Sequence, residues 1–157
     1  MSEPQTQLQL PPPRLSKGLA IAFLIVSFLG FLDATYLAIE HYRGVVPPCT
    51  IVEGCEEVTT SIYSQILGVP VALGGSIFYF AIFIISILKF EQENDKFLKY
   101  AAFLTPFGFL SSLWFLYLQL FVINAICIYC MFSLLTSTTL FFLGNFVIKK
   151  SRQYENG

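Results

Sequence analysis

Charge is scarce in this chain. Only 12% of its 157 residues are charged, and nine Lys and Arg stand against ten Asp and Glu for a formal net charge of −1. No basic stripe and no Gly-rich phosphate loop is present, so nothing marks a nucleic-acid or nucleotide site. Histidine occurs once, as His41, and tryptophan once, as Trp114. Cysteine occurs four times, at positions 49, 55, 127 and 130. Met131 follows Cys130, which excludes haem attachment, because that motif needs a histidine there. No internal repeat is visible, and a chain of this length is one domain by the usual prior.

Apolar surface is abundant. Hydrophobic residues make up 55% of the chain, with 17 Phe among them, a composition too apolar for a soluble fold of this size. Four near-continuous apolar runs cover residues 18–39, 71–88, 97–122 and 126–148. Each is adequate for a bilayer core, which takes about 20 helical residues to cross. The expected fold is therefore all-α: an integral membrane four-helix bundle over residues 18–148, with a long loop over 40–70. The first run is too long for a signal-peptide core and has no small-residue cleavage site after it, so it is read as retained. Residues 1–17, with Pro11-Pro12-Pro13, are expected to be a disordered tail, and 149–157 a second tail.

The placement of Lys and Arg predicts the orientation. Arg14 and Lys17 precede the first run, Lys89, Lys96 and Lys99 surround the second connection, and Lys149, Lys150 and Arg152 follow the fourth. Only Arg43 lies on the other side. The positive-inside rule makes the crowded side cytoplasmic, with both termini there. The protein is then a multi-pass plasma-membrane protein whose four cysteines all face the outside or periplasm, where disulfides persist.

The cysteines fall in two pairs. Cys127 and Cys130 open the last apolar run, three residues apart and on one helix face. Unpaired N–H groups at a helix start favour a thiolate and lower the thiol pKa, and so close a pair can form a disulfide. Cys130 lies about 4.5 Å deeper along the axis, at 1.5 Å per residue. Cys49 and Cys55 enclose a short segment that contains Gly54. From Glu56 to Leu67, apolar Val58, Ile62 and Ile66 recur every four residues, which predicts a short amphipathic helix lying over the bundle as a lid. Glu56 and Glu57 suit its first turn but oppose ionisation of Cys55. Gly68-Val69-Pro70 is expected to end it and turn the chain into the second span.

These residues together resemble the vitamin K epoxide reductase family. The resemblance rests on the two loop cysteines, on Cys55-Glu56-Glu57-Val58 with Ser61, Tyr63 and Ser64, on Gly68-Val69-Pro70, and on Cys-x-x-Cys at the fourth span. It covers residues 18–148 and is to the bacterial and archaeal branch, which drives disulfide formation in exported proteins. The resemblance implies a quinone-dependent thiol–disulfide oxidoreductase. Electrons would pass from a thioredoxin-fold exported protein to Cys49 and Cys55, then to Cys127 and Cys130, then to ubiquinone or menaquinone. The expected exchange is attack by Cys55 on Cys127, which leaves Cys130 to face the quinone. Many bacterial relatives carry a fused thioredoxin-like domain after the last span; here that partner is expected to be a separate protein. The candidate quinone contacts are Ser61 in the lid, Trp114 in the third span, and Met131 and Leu134 in the fourth. Val71-Ala72-Leu73 stands where the animal enzymes put a quinone-contacting asparagine, which leaves vitamin K epoxide without support as a substrate.

Other readings stay open on the residues alone. The loop pair can be a purely structural bridge in a non-enzymatic four-span protein, and paired cysteines can hand on a soft metal ion. A heavy-metal transporter needs a cytoplasmic cysteine to receive the ion, and this chain has none. Four thiols can hold zinc, but an oxidising outer surface favours disulfides, so no metal site is expected. Asp33, inside the first span, is read as a buried hydrogen bond holding helices together ahead of a proton route for quinol formation. His41 is read as a solvated span end, and Pro106 with Gly108 as a kink in the third span. Phe115 and Tyr117, with Trp114, reach the level of the C-x-x-C.

Overall fold

Long apolar segments can satisfy their backbone groups in lipid only as helices, and the chain follows that rule. The computed structural model describes residues 17–49, 54–92 and 95–155; the N-terminal tail expected to be disordered lies outside them up to residue 16. Helix α1 spans Lys17–Arg43. A short helix α2, Cys55–Thr60, follows, then a 3-10 turn at Ile62–Ser64. Two-residue strands β1 (Gln65–Ile66) and β2 (Val69–Pro70) pair antiparallel. Helix α3 covers Val71–Gln92 and α4 covers Asp95–Tyr117, continued by a π-helical segment at Leu118–Ile123. Helix α5 runs from Ile128 to Glu155. The four long helices are each long and apolar enough to cross a membrane.

Their outer faces are apolar because lipid is their solvent. On α1, Ile21, Ile25, Phe28 and Leu32 recur at helical spacing and all are exposed, a stripe that water would not tolerate. The inner faces use small residues, which let helix backbones approach closely. Ala20, Phe23 and Ala34 of α1 pack with Tyr79 and Ile82 of α3, Leu98, Ala101 and Ala102 of α4, and Leu140 and Val147 of α5. Gly30 lies against the ring of Tyr79, and Gly108 against the ring of Phe78, positions where a β-carbon has no room. Polar side chains tie the helices across this core. The hydroxyls of Thr35 and Ser76 share a hydrogen bond of 2.7 Å. Ser137 donates to Ser112 at 2.8 Å, and the Tyr79 hydroxyl donates to the Ser133 carbonyl at 2.9 Å.

Two local expectations are corrected. The lid is not one amphipathic helix over 56–67. Ser61 is extended (φ −61°, ψ 154°), which stops α2 after a turn and a half. Leu67 and Gly68 both have positive φ, 53° and 81°, and this turn folds the rest into the β1–β2 hairpin. Val58 is buried, but Ile62 and Ile66 are 80% and 64% exposed, so the stripe does not form a single packed face. Helix α4 runs on through Pro106, and a π-helical segment follows at Leu118–Ile123. The second correction is at the fourth span, which begins at Ile128 rather than Ile126 and leaves Cys127 just ahead of it.

Candidate redox site

The loop reaches the start of α5 through a glycine. A β-carbon on Gly54 would stand 2.6 Å from both the backbone N and O of Ile126, so only glycine permits this approach. The Gly54 carbonyl accepts from the Val58 N–H at 3.1 Å, which starts α2 there. Cys55, the first residue of α2, is thereby laid over Cys127. Cys55, Val58, Ala125 and Cys127 form one buried cluster, with Cys49, Ile123, Tyr129 and Cys130 packed against it. Cys55 and Cys127 are 1% and 0% exposed. Cys49 and Cys55 are joined as a disulfide with their Cα atoms 6.1 Å apart, while Cys127 and Cys130 are free thiols. Tyr129 adds a second tie: its hydroxyl donates to the Pro48 carbonyl at 3.3 Å, next to Cys49.

Cys127 is positioned from the third span as well. Asn124 adopts the left-handed conformation (φ 54°) and ends the π-helical segment. The Ala125 N–H donates to the Gln119 carbonyl at 3.1 Å. The Cys127 N–H donates to Gln119 Oε1 at 2.9 Å. The Cys127 carbonyl accepts from the Met131 N–H at 3.0 Å, the first bond of α5, so Cys127 occupies the N-cap position. Its thiol, outside the spanning helix, is lowered from 9.0 to about 7. The hydrogen bond with the Cys130 side chain is the main cause. Desolvation opposes it, and backbone hydrogen bonds from Cys130 and Tyr129 assist.

Below the lid lies an apolar cavity of about 1070 Å³ whose walls include Cys130, Ser61, Trp114, Phe115, Gln119 and Ser133. Cys127 does not line it. Two of the candidate quinone contacts, Ser61 and Trp114, stand on the wall with Cys130, while Met131 and Leu134 stand outside it. The Ser61 hydroxyl donates to the Val58 carbonyl at 2.8 Å, which leaves its oxygen free to accept. Trp114 stacks on Tyr117 with ring centroids 5.9 Å apart. His41, at the end of α1, is half-buried on the cavity wall, beside the buried Glu40, which pairs with Arg43 at 3.2 Å. Asp33 departs from expectation: its Oδ2 is buried and has no hydrogen-bond partner, so that oxygen does not hold helices together. Among the described residues no group of three His, Cys, Asp or Glu is arranged to hold a metal ion. Gln119, Tyr129 and Gly54 are the contributors the sequence did not mark as site residues.

A helical membrane bundle with one bridged and one open cysteine pair in a single buried cluster has the architecture of a membrane thiol–disulfide oxidoreductase. The chain belongs to the vitamin K epoxide reductase family, whose pattern matches residues 21–144. Members of that family are membrane oxidoreductases acting on thiols and disulfides. No curated protein matches the chain.

Proposed function

We propose that this protein is a quinone-dependent thiol oxidase that drives disulfide formation in exported proteins. The observation that carries the reading is the shared cluster of the two cysteine pairs, with Cys130 alone of the four on the wall of the cavity. In this reading a separate thioredoxin-fold protein gives two electrons to the Cys49–Cys55 disulfide, which opens to two thiols. Cys55, as thiolate, attacks Cys127 of the oxidised helix pair; the Cys55–Cys127 bond forms and Cys130 leaves as thiolate. Cys49 then attacks Cys55, restoring the loop disulfide and releasing Cys127. A loop pair bridged beside a free helix pair is the state at the end of that exchange.

The cavity fits a quinone: it is largely apolar, Trp114 and Phe115 offer aromatic faces, and Ser61 and Gln119 offer polar atoms. A bound quinone supplies the acceptor for two electrons and two protons. Cys130 holds its sulfur at the wall, and the lid keeps water from the helix pair. Four spans in series cross a bilayer in alternating directions, which would gather Lys17, Lys89, Lys96 and Lys149 at the end opposite the cysteines. The positive-inside rule then sets the cysteines outside and both termini in the cytoplasm.

Single cysteine variants test the relay. Cys130→Ala leaves Cys127 without its partner, and a lasting Cys55–Cys127 disulfide should accumulate on treatment with a reduced thioredoxin-fold protein and air. Cys127→Ala should trap no bridge to the loop. Peptide mapping of the disulfides reads both outcomes. A Cys55–Cys130 bridge formed as readily as Cys55–Cys127 would remove the assigned order, and a wild-type protein whose two pairs never exchange would leave a structural loop bridge.

A further inference from the structure

Among the described residues, Asp33 Oδ2 is the only buried side-chain oxygen or nitrogen without a hydrogen-bond partner. Its place follows from the helix period. Gly30, three residues before it, lies against the ring of Tyr79. Tyr36, three residues after it, lies against the ring of Tyr129 with centroids 5.4 Å apart. Residues three apart share a helix face, so Asp33 stands between Tyr79 and Tyr129, level with the start of α5. The titratable groups that interact with it are Cys127, Cys130 and Tyr129 from that start, and Tyr79 from α3. None of these is cationic. The Tyr79 hydroxyl is already committed to Ser133 and Thr136, at 2.9 and 2.8 Å. A carboxyl with a bare buried oxygen therefore stands within electrostatic reach of the thiol that the exchange must deprotonate and reprotonate. Two acids so placed repel when both are ionised, and their protons come off as a coupled pair.

We propose that Asp33 stores the proton of Cys127, so that the carboxyl and the thiol hold a single negative charge between them while the helix pair is reduced. The inference rests on the thiol relay proposed above. At the end of exchange Cys49 bonds to Cys55, the Cys55–Cys127 bond breaks, and Cys127 leaves as thiolate with the electron pair. The Asp33 carboxyl gives that thiolate its proton and becomes carboxylate. When Cys127 later closes on Cys130, the Cys127 proton returns to Asp33. The two electrons go to the bound quinone, with the Cys130 proton and one proton from water. Of the two protons of the loop thiols, one then resides on Cys130 and the other is released to water, so the cycle closes on Asp33 as it began.

The test uses the full chain in lipid nanodiscs. In the wild type, oxidation of the helix pair should add the infrared carbonyl band of a protonated carboxyl, and reduction should remove it. Asp33→Asn should abolish that change, and below about pH 7 the thiolate absorbance left by exchange should persist at least tenfold longer. Asp33→Glu should restore the band and the shorter lifetime. Isotope labelling of aspartate in the wild type assigns the band even where Asp33→Asn fails to fold. A redox cycle with no change in the labelled carboxyl band overturns the proposal. Identical thiolate lifetimes in the wild type and a folded Asp33→Asn do the same. If the wild-type pairs exchange and Asp33 stays silent, only the proton store falls; if they do not exchange, the relay itself falls.

Discussion

Cys127 meets three requirements at one position. It caps α5, it is covered by Cys55, and its N–H is held by Gln119. A thiol lowered to about 7 is half-ionised near neutral pH, and a low-pKa sulfur leaves readily from a mixed disulfide. In the reduced protein, thiolate absorbance should therefore grow as pH rises through about 7, with the neutral thiol below it. Cys130→Ala removes the leading cause of that shift, so the midpoint should climb toward 9; an unmoved midpoint would show that Cys130 does not stabilise the thiolate. Gln119 is a second test at this scale. Gln119→Leu leaves a buried N–H unsatisfied, a loss of about 1–3 kcal/mol, whereas Gln119→Glu keeps an acceptor. Thermal unfolding in detergent should separate the two, with the leucine variant lower. Nothing in the sequence marked Gln119, because it sits eight residues before Cys127 and meets it only through the Asn124 turn.

At the scale of elements, the lid shows where periodicity misleads. Val58, Ile62 and Ile66 match a helix pattern, yet only Val58 packs on the cysteines. The turn at Leu67 and Gly68 is set by backbone conformation, and a hairpin of two-residue strands has too little alternation to announce itself. The four spans were legible for the opposite reason: lipid demands long apolar segments, and that demand is written in composition. The two cysteine pairs were legible as pairs, but their meeting depended on Gly54, which reads in the sequence as a flexible loop residue. Gly54→Ala puts a β-carbon against rigid backbone at Ile126 and should push the lid off α5 at a loss of about 1–3 kcal/mol. Gly74→Ala meets nothing within 4 Å and serves as the control. Yield of the Cys55–Cys127 bridge in a Cys130→Ala background reads the difference. Equal yields from the two alanine variants would mean that Gly54 does not set the approach of the loop.

For the whole molecule, the cavity is bounded on one side by the lid and on the other by α1, α3, α4 and α5. Ser61 and Ile62 share its walls with Phe78, Trp114 and Cys130. A ligand that touches both sides is bound by the lid and the spans at once. Thermodynamic linkage then applies in both directions. If the trapped Cys55–Cys127 bridge holds the lid down, the bridged form should bind a quinone analogue more tightly than the unbridged form. The same analogue must raise the equilibrium yield of the bridge by the same ratio, on the order of 5–150-fold for couplings of this kind. Equilibrium binding and disulfide mapping measure the two sides independently. Equal affinity for both forms would show that the lid is not part of the binding wall. Occupancy of the pocket would thus be felt at the loop disulfide, making the lid a shared term in two equilibria.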